Sequence, residues 1–571
     1  MNEENYLSEL QDLRSKNWPD SLPSKPNYPF GEKPLTEYLE KWAQISPDKA
    51  CIIYYGREIS FDEMNDMSNR FASYLSSIGC KKGDRIAVFL PNCPQFLIAF
   101  YGILKIGCIH VPVNPMFKEY ELNYELNDSG ASVLITLDQL YPTAEKVVIE
   151  TGVNSVITTS LSDYLPKTPT MQINKSMSNP KIEYEDAVDF EDILKNCKQD
   201  YPKPEIHLDD IAALNYTGGT TGMPKGCMHT QRNMIYTAAN SATFSSKVSS
   251  EDIRLNYLPI FWIAGENTGV ISPIFNGITQ ILLYRWDPVA VLDAIQRYKV
   301  TIFGGVTDNI IELINRPDIQ DYDLSSIDTT MVSSFIKKVN IFYRDRWEKI
   351  TGSILREASF GMTETHTADT FTTGMQEGNK DLYMRPIFVG FPVPNTEIKI
   401  VDFNTKESLP QETEGEIVIR TPSLMSGYWN KPEQTAETIK DNWFYTGDIG
   451  VINEEGYLHF LGRKKEMLKV NGMSVFPSEL ENIISKHEAV AACGVIGLDD
   501  TDKGQIPIAV IKLEKTYEDI SIDELEKYCE KNMANYKKPI IKIMEEMPLT
   551  TTGKIKKDKL QEIIKSNMRS L

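Results

Sequence analysis

A loop of small and hydroxylated residues, Tyr216-Thr-Gly-Gly-Thr-Thr-Gly-Met-Pro-Lys-Gly226, follows the apolar run Ile211 to Leu214. Glycines let backbone N–H groups close in on an anion, and the hydroxyls of Thr217, Thr220 and Thr221 add donors. Thr217, Gly218, Gly219, Thr220, Thr221, Gly222 and Lys225 therefore read as a cradle for a polyphosphate. The loop is not of the Walker A type, which ends in Gly-Lys-Ser/Thr, because Lys225 follows Pro224 and precedes Gly226. Far downstream, Lys554 ends the string Thr550-Thr-Thr-Gly-Lys, where Gly553 permits a turn that can project an ammonium ion into a cleft. The 6 histidines show no metal-ligand spacing, and the 8 cysteines are scattered without a Cys-x-x-Cys pair, so neither a zinc site nor a disulfide framework is expected.

The elements that must carry these residues are those of an α/β protein. Apolar runs such as Arg85 to Leu90 alternate with amphipathic helical segments such as Phe61 to Ile78, which is the βαβ pattern. A polar stretch from about Ser160 to Pro204 reads as surface connection with some edge strand, and the α/β pattern resumes at Ile211 and runs to about Asp402. Gly415 to Arg420 and Tyr457 to Leu461 then read as strands of a β-rich portion. Beyond Gly462 a small α+β unit is expected: helix Pro477–Ser485, strands Val490–Ile496 and Ile506–Leu513, helix Ile522–Ala534 and a final strand.

A chain of 571 residues exceeds one ordinary hydrophobic core, so two or more domains are expected. A formal net charge of -20 argues against a broad grip on nucleic acid or anionic lipid. The apolar stretch Ile86 to Val113 is interrupted by Pro91, Pro94 and Lys105, which fits strand, helix and strand rather than a membrane span. Met1 to Asn5 lack the positive flank and apolar core of a signal peptide, so a cytoplasmic location is expected.

Thr217 to Gly226 resembles the signature loop of the adenylate-forming superfamily, which includes acyl-CoA synthetases, coumarate ligases, luciferases and peptide-synthetase adenylation domains. Four further segments resemble that family in the same order: Phe360-Gly-Met-Thr-Glu364, Tyr445-Thr-Gly-Asp-Ile-Gly450, Gly462-Arg-Lys-Lys-Glu466 continued by Val470-Asn-Gly472 and Pro477-Ser-Glu-Leu-Glu481, and Pro548-Leu-Thr-Thr-Thr-Gly-Lys554. Similarity runs from about Tyr38 to the end. The resemblance implies a large N-terminal domain of two α/β layers plus a small β-rich subdomain, and a smaller mobile α+β C-terminal domain. The corresponding divisions are an N-terminal extension at 1–33, an AMP-binding domain at 34–463 and the mobile domain at 464–571.

It also implies an acid:CoA ligase that makes an acyl-adenylate from a carboxylic acid and ATP, then a thioester with CoA. On that resemblance Thr220, Thr221 and Lys225 meet the β- and γ-phosphates, Thr363 meets phosphate and Glu364 holds Mg2+. Phe360, where Tyr is more usual, keeps a face for adenine beside Gly361 and Met362. Asp448 accepts from the ribose hydroxyls, and Arg463 donates to ribose or phosphate. Lys554 bridges the carboxylate and the α-phosphate during adenylation, and the small domain pivots near Lys465. Arg463 to Lys465 with Lys469, and Lys537-Lys538, offer CoA a basic entrance.

Two segments depart from the family pattern. Leu258-Pro-Ile-Phe-Trp262 carries Trp262 where many members have His, and with Ile263 to Gly265 it resembles acetyl- and medium-chain acyl-CoA synthetases. Val332-Ser-Ser-Phe-Ile-Lys-Lys338 sets Ser334, Phe335 and Ile336 where small residues usually line the acid pocket. A bulky lining shortens a tunnel, so a short- or medium-chain or branched acid is expected. The alternatives are an aryl acid such as a cinnamate or benzoate, and a nucleotide-binding regulator without turnover. No nucleic-acid partner is expected, and a homodimer is left open.

Overall fold

A strand buried on both faces has to be apolar on both, and Arg85–Phe89, Ile109–Pro112 and Val133–Leu137 meet that condition. In the computed structural model, which describes residues 3–217, 223–334, 336–384, 387–471, 473–500, 503–517, 520–550 and 553–569, these strands centre a seven-stranded sheet. Its order is Val188–Asp189, Ser155–Thr159, Val133–Leu137, Arg85–Phe89, Ile109–Pro112, Ile211–Tyr216 and Gly226–Thr230. All pairings are parallel except the last, where the glycine-rich loop joins two antiparallel strands.

A second seven-stranded sheet has the order Leu355–Glu357, Thr329–Ser333, Ile302–Val306, Ile253–Asn256, Thr279–Leu282, Ala50–Tyr54 and Arg57–Ser60. Helix Pro94–Lys105 is buried at every position, as a helix covered on all sides must be. One apolar cluster joins it to Ile86 and Val88 of the first sheet and to Ile52 and Ile281 of the second. The amphipathic segment expected over 61–78 forms helix Phe61–Ser77, started by a capping box in which Ser60 and Glu63 satisfy each other's backbone N–H groups.

The β-rich portion is an antiparallel sheet of order Thr370–Phe371, Phe388–Pro392, Leu458–Arg463, Trp443–Ile452, Gly415–Arg420 and Glu397–Val401. Helix Glu3–Lys16, in the stretch read as an extension, docks on it through buried Tyr6 and Leu10, and Arg14 donates to Ile398 O at 3.2 Å. The last sheet is smaller, with Leu468–Val470, Met473–Val475, Gly504–Leu513, Val490–Asp500 and the edge strand Ile540–Ile543. Helices Pro477–Ile484 and Ile522–Asn532 cover it with Leu480, Ile484, Leu525 and Cys529. Among the described residues, no helix is long and apolar enough to cross a membrane.

Candidate active site

Strands Trp443–Ile452 and Leu458–Arg463 run antiparallel with Asp448 opposite Arg463, so the two side chains become cross-strand neighbours. Arg463 Nε lies 2.9 Å from Asp448 Oδ1, and the Asp448 side chain is 3% exposed. Burial pushes the Asp448 carboxyl up to about 6, with Glu364 and Glu466 acting in the same direction and Arg463 and Lys554 opposing them.

Lys554 faces the same carboxylate from the far end of the chain. Its turn is closed by Gly553 N–H to Thr550 O at 3.0 Å and by Lys554 N–H to Thr550 Oγ1 at 3.0 Å. Gly553 sits at φ +78° in that turn, a conformation a side chain would strain. The Lys554 side chain is open to solvent yet walled by protein, as a group in a cleft is, and burial with the charges of Arg463 and Lys338 lowers its pKa against the pull of Asp448 and Glu466. Glu466, in the 3₁₀ turn Lys464–Glu466 between the third and fourth sheets, pairs with Lys557, which also reaches Glu481 at 2.9 Å. Lys465, the expected pivot, lies in that turn.

A second group gathers at the glycine-rich loop. Thr217 N–H donates to Lys225 O at 2.9 Å, closing the base of the loop, and the Lys225 ammonium lies 3.9 Å from the centre of the Tyr428 ring. Tyr428 OH donates to Glu364 Oε1 at 2.9 Å, which leaves the other carboxylate oxygen unclaimed by Tyr428. Segment 426–429 reaches this place by pairing with strand Gly226–Thr230, through Ser426 N to Met228 O, Met228 N to Gly427 O and Trp429 N to Gly226 O. Gly218, Gly219, Thr220, Thr221 and Gly222 lie outside the described residues.

Thr363 and Glu364 occupy the 3₁₀ turn Thr363–Thr365, and the next three residues, His366, Thr367 and Ala368, all have positive φ (54°, 61° and 56°). Such a run of non-glycine residues is strained, at about 1–2 kcal/mol each. It folds the chain back so tightly that a Cβ on Gly361 would come 2.4 Å from Ala368 N. Met362 caps the turn, and Phe360 packs on Phe460 with ring centres 5.9 Å apart.

On the acid side, Trp262 stands half-buried at the start of helix Ile263–Glu266, with its ring edge-on to Phe261 at 5.5 Å. Ser334 gives its N–H and hydroxyl to Glu357, whose carboxyl burial raises, and Lys338 donates to Ser334 O at 2.8 Å. Ile336 is half-buried, and Phe335 lies outside the described residues. Lys469 bonds Ser474 within its own hairpin at 2.9 Å. Lys537 is paired with Glu479 at 2.7 Å. The structure thus brings Lys554, Asp448, Arg463 and Lys338 to one place and Lys225, Thr217 and Glu364 to another, linked by the field of Glu364 on Asp448.

The sequence pattern of the AMP-binding enzyme family matches residues 39–429, and that of the AMP-binding enzyme C-terminal domain matches residues 479–554. The chain belongs to the AMP-binding enzyme family. It is 34% identical to a long-chain-fatty-acid–CoA ligase of Bacillus subtilis strain 168 over 556 residues, covering 95% of this chain and 97% of the relative. The crystal structure of the anthranilate CoA ligase AuaEII with anthranoyl-AMP superposes with a TM-score of 0.80 at 26% identity, over 96% of this chain and 99% of that one. A Mycobacterium tuberculosis fatty acyl CoA synthetase superposes at 0.71, also at 26% identity, over 94% and 99%. This AMP-binding enzyme is accordingly an adenylate-forming acid:thiol ligase, with ATP and CoA as co-substrates.

In this AMP-binding enzyme, Tyr428 is a site residue that no motif in the sequence marks. It stands 64 residues from Glu364, and its only signal was the neighbouring Gly427, a punctuation mark that says nothing of what the ring meets.

Proposed function

We propose that this ligase activates a fatty acid in the cytoplasm and transfers the acyl group to CoA. Supporting this is the placement of Lys554 in the field of the Asp448–Arg463 pair, a cation next to the groups proposed here to hold ribose and phosphate. Oxygen attack expels pyrophosphate, and the CoA thiol then attacks the acyl carbon and expels AMP. Asp448 receives the ribose hydroxyls, Arg463 donates to ribose or phosphate, and Thr363, Lys225, Thr220 and Thr221 receive the phosphates. The ring of Phe360 receives adenine beside Gly361 and Met362.

Glu364 suits Mg2+, which takes one or two carboxylates together with phosphate oxygens and water rather than an all-protein cage. The ion would neutralise phosphate charge, while Tyr428 fixes the Glu364 carboxylate through one oxygen. Residues 34–463 and 464–571 are proposed as the two functional domains, with Lys465 as the pivot. Lys469 is proposed to face CoA.

The name of the Bacillus relative favours a long chain, whereas Trp262, Ser334, Phe335 and Ile336 favour a shorter acid. Acid-dependent AMP formation over a series from butyrate to stearate, with cinnamate and benzoate alongside, decides both points. Turnover confined to the aromatic acids overturns the fatty-acid reading. Palmitate preferred over every shorter acid overturns only the short-chain one.

A further inference from the structure

Helix Glu119–Ser129 belongs to neither strand of the glycine-rich loop, yet it touches both stems. Tyr216, the last residue of the inbound strand, donates its hydroxyl to Asp128 Oδ2 at 2.9 Å. One turn earlier on the helix, Tyr124 OH donates to Pro224 O at 2.8 Å, on the outbound stem next to Lys225. The other oxygen of Asp128 pairs with the Lys431 ammonium, three residues beyond the Tyr428 ring that lies under Lys225. The helix end is itself fixed, because Gly130 takes the left-handed cap (φ 62°) and Arg85 donates to Ser129 O at 2.9 Å and Gly130 O at 2.7 Å.

A carboxylate in the last turn of a helix sits at the negative end of the helix dipole, which disfavours it there. The Asp128 side chain is only 12% exposed, so its charge serves no solubility purpose. Burial, reinforced by Asp128, holds the Tyr216 phenol well above its ordinary pKa, which keeps it a donor. Burial alone would lower the Lys431 ammonium, and the pairing with Asp128 more than offsets this.

We propose that Asp128 is a positioning residue for the pyrophosphate half of ATP: by gripping Tyr216 and Lys431 together it sets the spacing of the loop stems and the place of Lys225. This rests on the reading that the loop receives the β- and γ-phosphates. Asp128→Asn keeps the shape and removes the charge. Equilibrium binding of ATP with magnesium is expected to weaken, and KM for ATP to rise, by about tenfold, while AMP binding, KM for the acid and the melting temperature stay within about twofold or a degree. Tyr216→Phe and Lys431→Gln should each weaken ATP binding, and neither should add to Asp128→Asn.

Unchanged ATP affinity in Asp128→Asn overturns the proposal. So does parallel weakening of ATP and AMP with a lowered melting temperature, which would make Asp128 a scaffold residue only, and so do losses that simply add. Failure of the wild-type enzyme to bind ATP would instead overturn the ligase reading, and this one with it.

Discussion

Burial and the charges of Arg463 and Lys338 lower the Lys554 pKa while Asp448 and Glu466 raise it, so the ammonium stands in the same field as the Asp448–Arg463 pair. Lys554→Ala is expected to reduce acid-dependent pyrophosphate exchange by about 10²–10³-fold while thioester formation from supplied acyl-adenylate survives. An equal fall in both half-reactions would show that the lysine serves the whole fold rather than the first step. Asp448 tests the same pocket from the other sign of charge. Its carboxyl is pushed from 3.8 to about 6 by burial, so the stability it contributes is complete below the unfolded pKa and is lost as pH rises through the folded one. Two units at about 1.36 kcal/mol each make Asp448→Asn about 3 kcal/mol more stable near pH 8, with no gain near pH 4. The same variant should bind ATP more weakly. Urea unfolding at the two pH values checks it, and a destabilised variant at the higher pH would refute the account of Asp448 as an ion held against its preference.

Beneath the phosphate loop, several elements contribute to one buried polar layer. His110 on strand Ile109–Pro112, Asn215 and His229 on the loop strands, Glu266 on helix Ile263–Glu266 and His366 after the Thr363 turn are all essentially unexposed. Asn215 bonds both His229 (2.8 Å) and Glu266 (3.1 Å), and His229 meets the His366 ring at 4.8 Å. Burial lowers His110 and His229 to about 3 and raises Glu266 to about 8, so the His110–Glu266 approach at 3.7 Å joins uncharged groups near neutrality and is not an ion pair. The signs follow from linkage. Between about pH 4.5 and 8 the folded state alone keeps the Glu266 proton, so this residue makes stability fall by about 1.4 kcal/mol per pH unit. Each histidine acts oppositely from about pH 3 to 6.5, where only the unfolded state is protonated. Glu266→Gln should therefore lose that downward slope above pH 6.5, measured as unfolding free energy against pH, and identical slopes would remove the argument. This layer was illegible in the sequence, because its members share no spacing and meet only when separate strands assemble. What was legible followed local rules: the two-residue and helical periods placed Arg85–Phe89, Gly415–Arg420 and Pro477–Ile484 within a residue or two, and glycine turns marked the loop at 217 and Lys554. Tyr428 and Asp128 were not, since their partners lie 64 and 88 residues away. Nor did the sequence reading anticipate that helix Glu3–Lys16 would seat Tyr6 and Leu10 on the third sheet.

At the scale of the whole chain, Lys554 meets Asp448 only because the region built on the last sheet lies against the larger one in this orientation. One contact that fixes it is the ion pair between Lys337, in the segment that departs from the family pattern, and Glu514, at the end of strand Gly504–Leu513. Both side chains are partly buried, at 15% and 32% exposure, so the pair is screened less than a surface bridge. Asp308 also faces Lys337, which makes Glu514→Lys the cleaner way to break the contact. Two like charges there should disfavour this orientation by about 1 kcal/mol and slow pyrophosphate exchange by about fivefold. Thioester formation from supplied acyl-adenylate should be unaffected or faster if the smaller region must leave this position for the second step. Lys337→Glu combined with Glu514→Lys restores the attraction and should recover most of the exchange. A double variant no better than Glu514→Lys alone would mean that the departure at 332–338 shapes the acid pocket without also holding the two regions together.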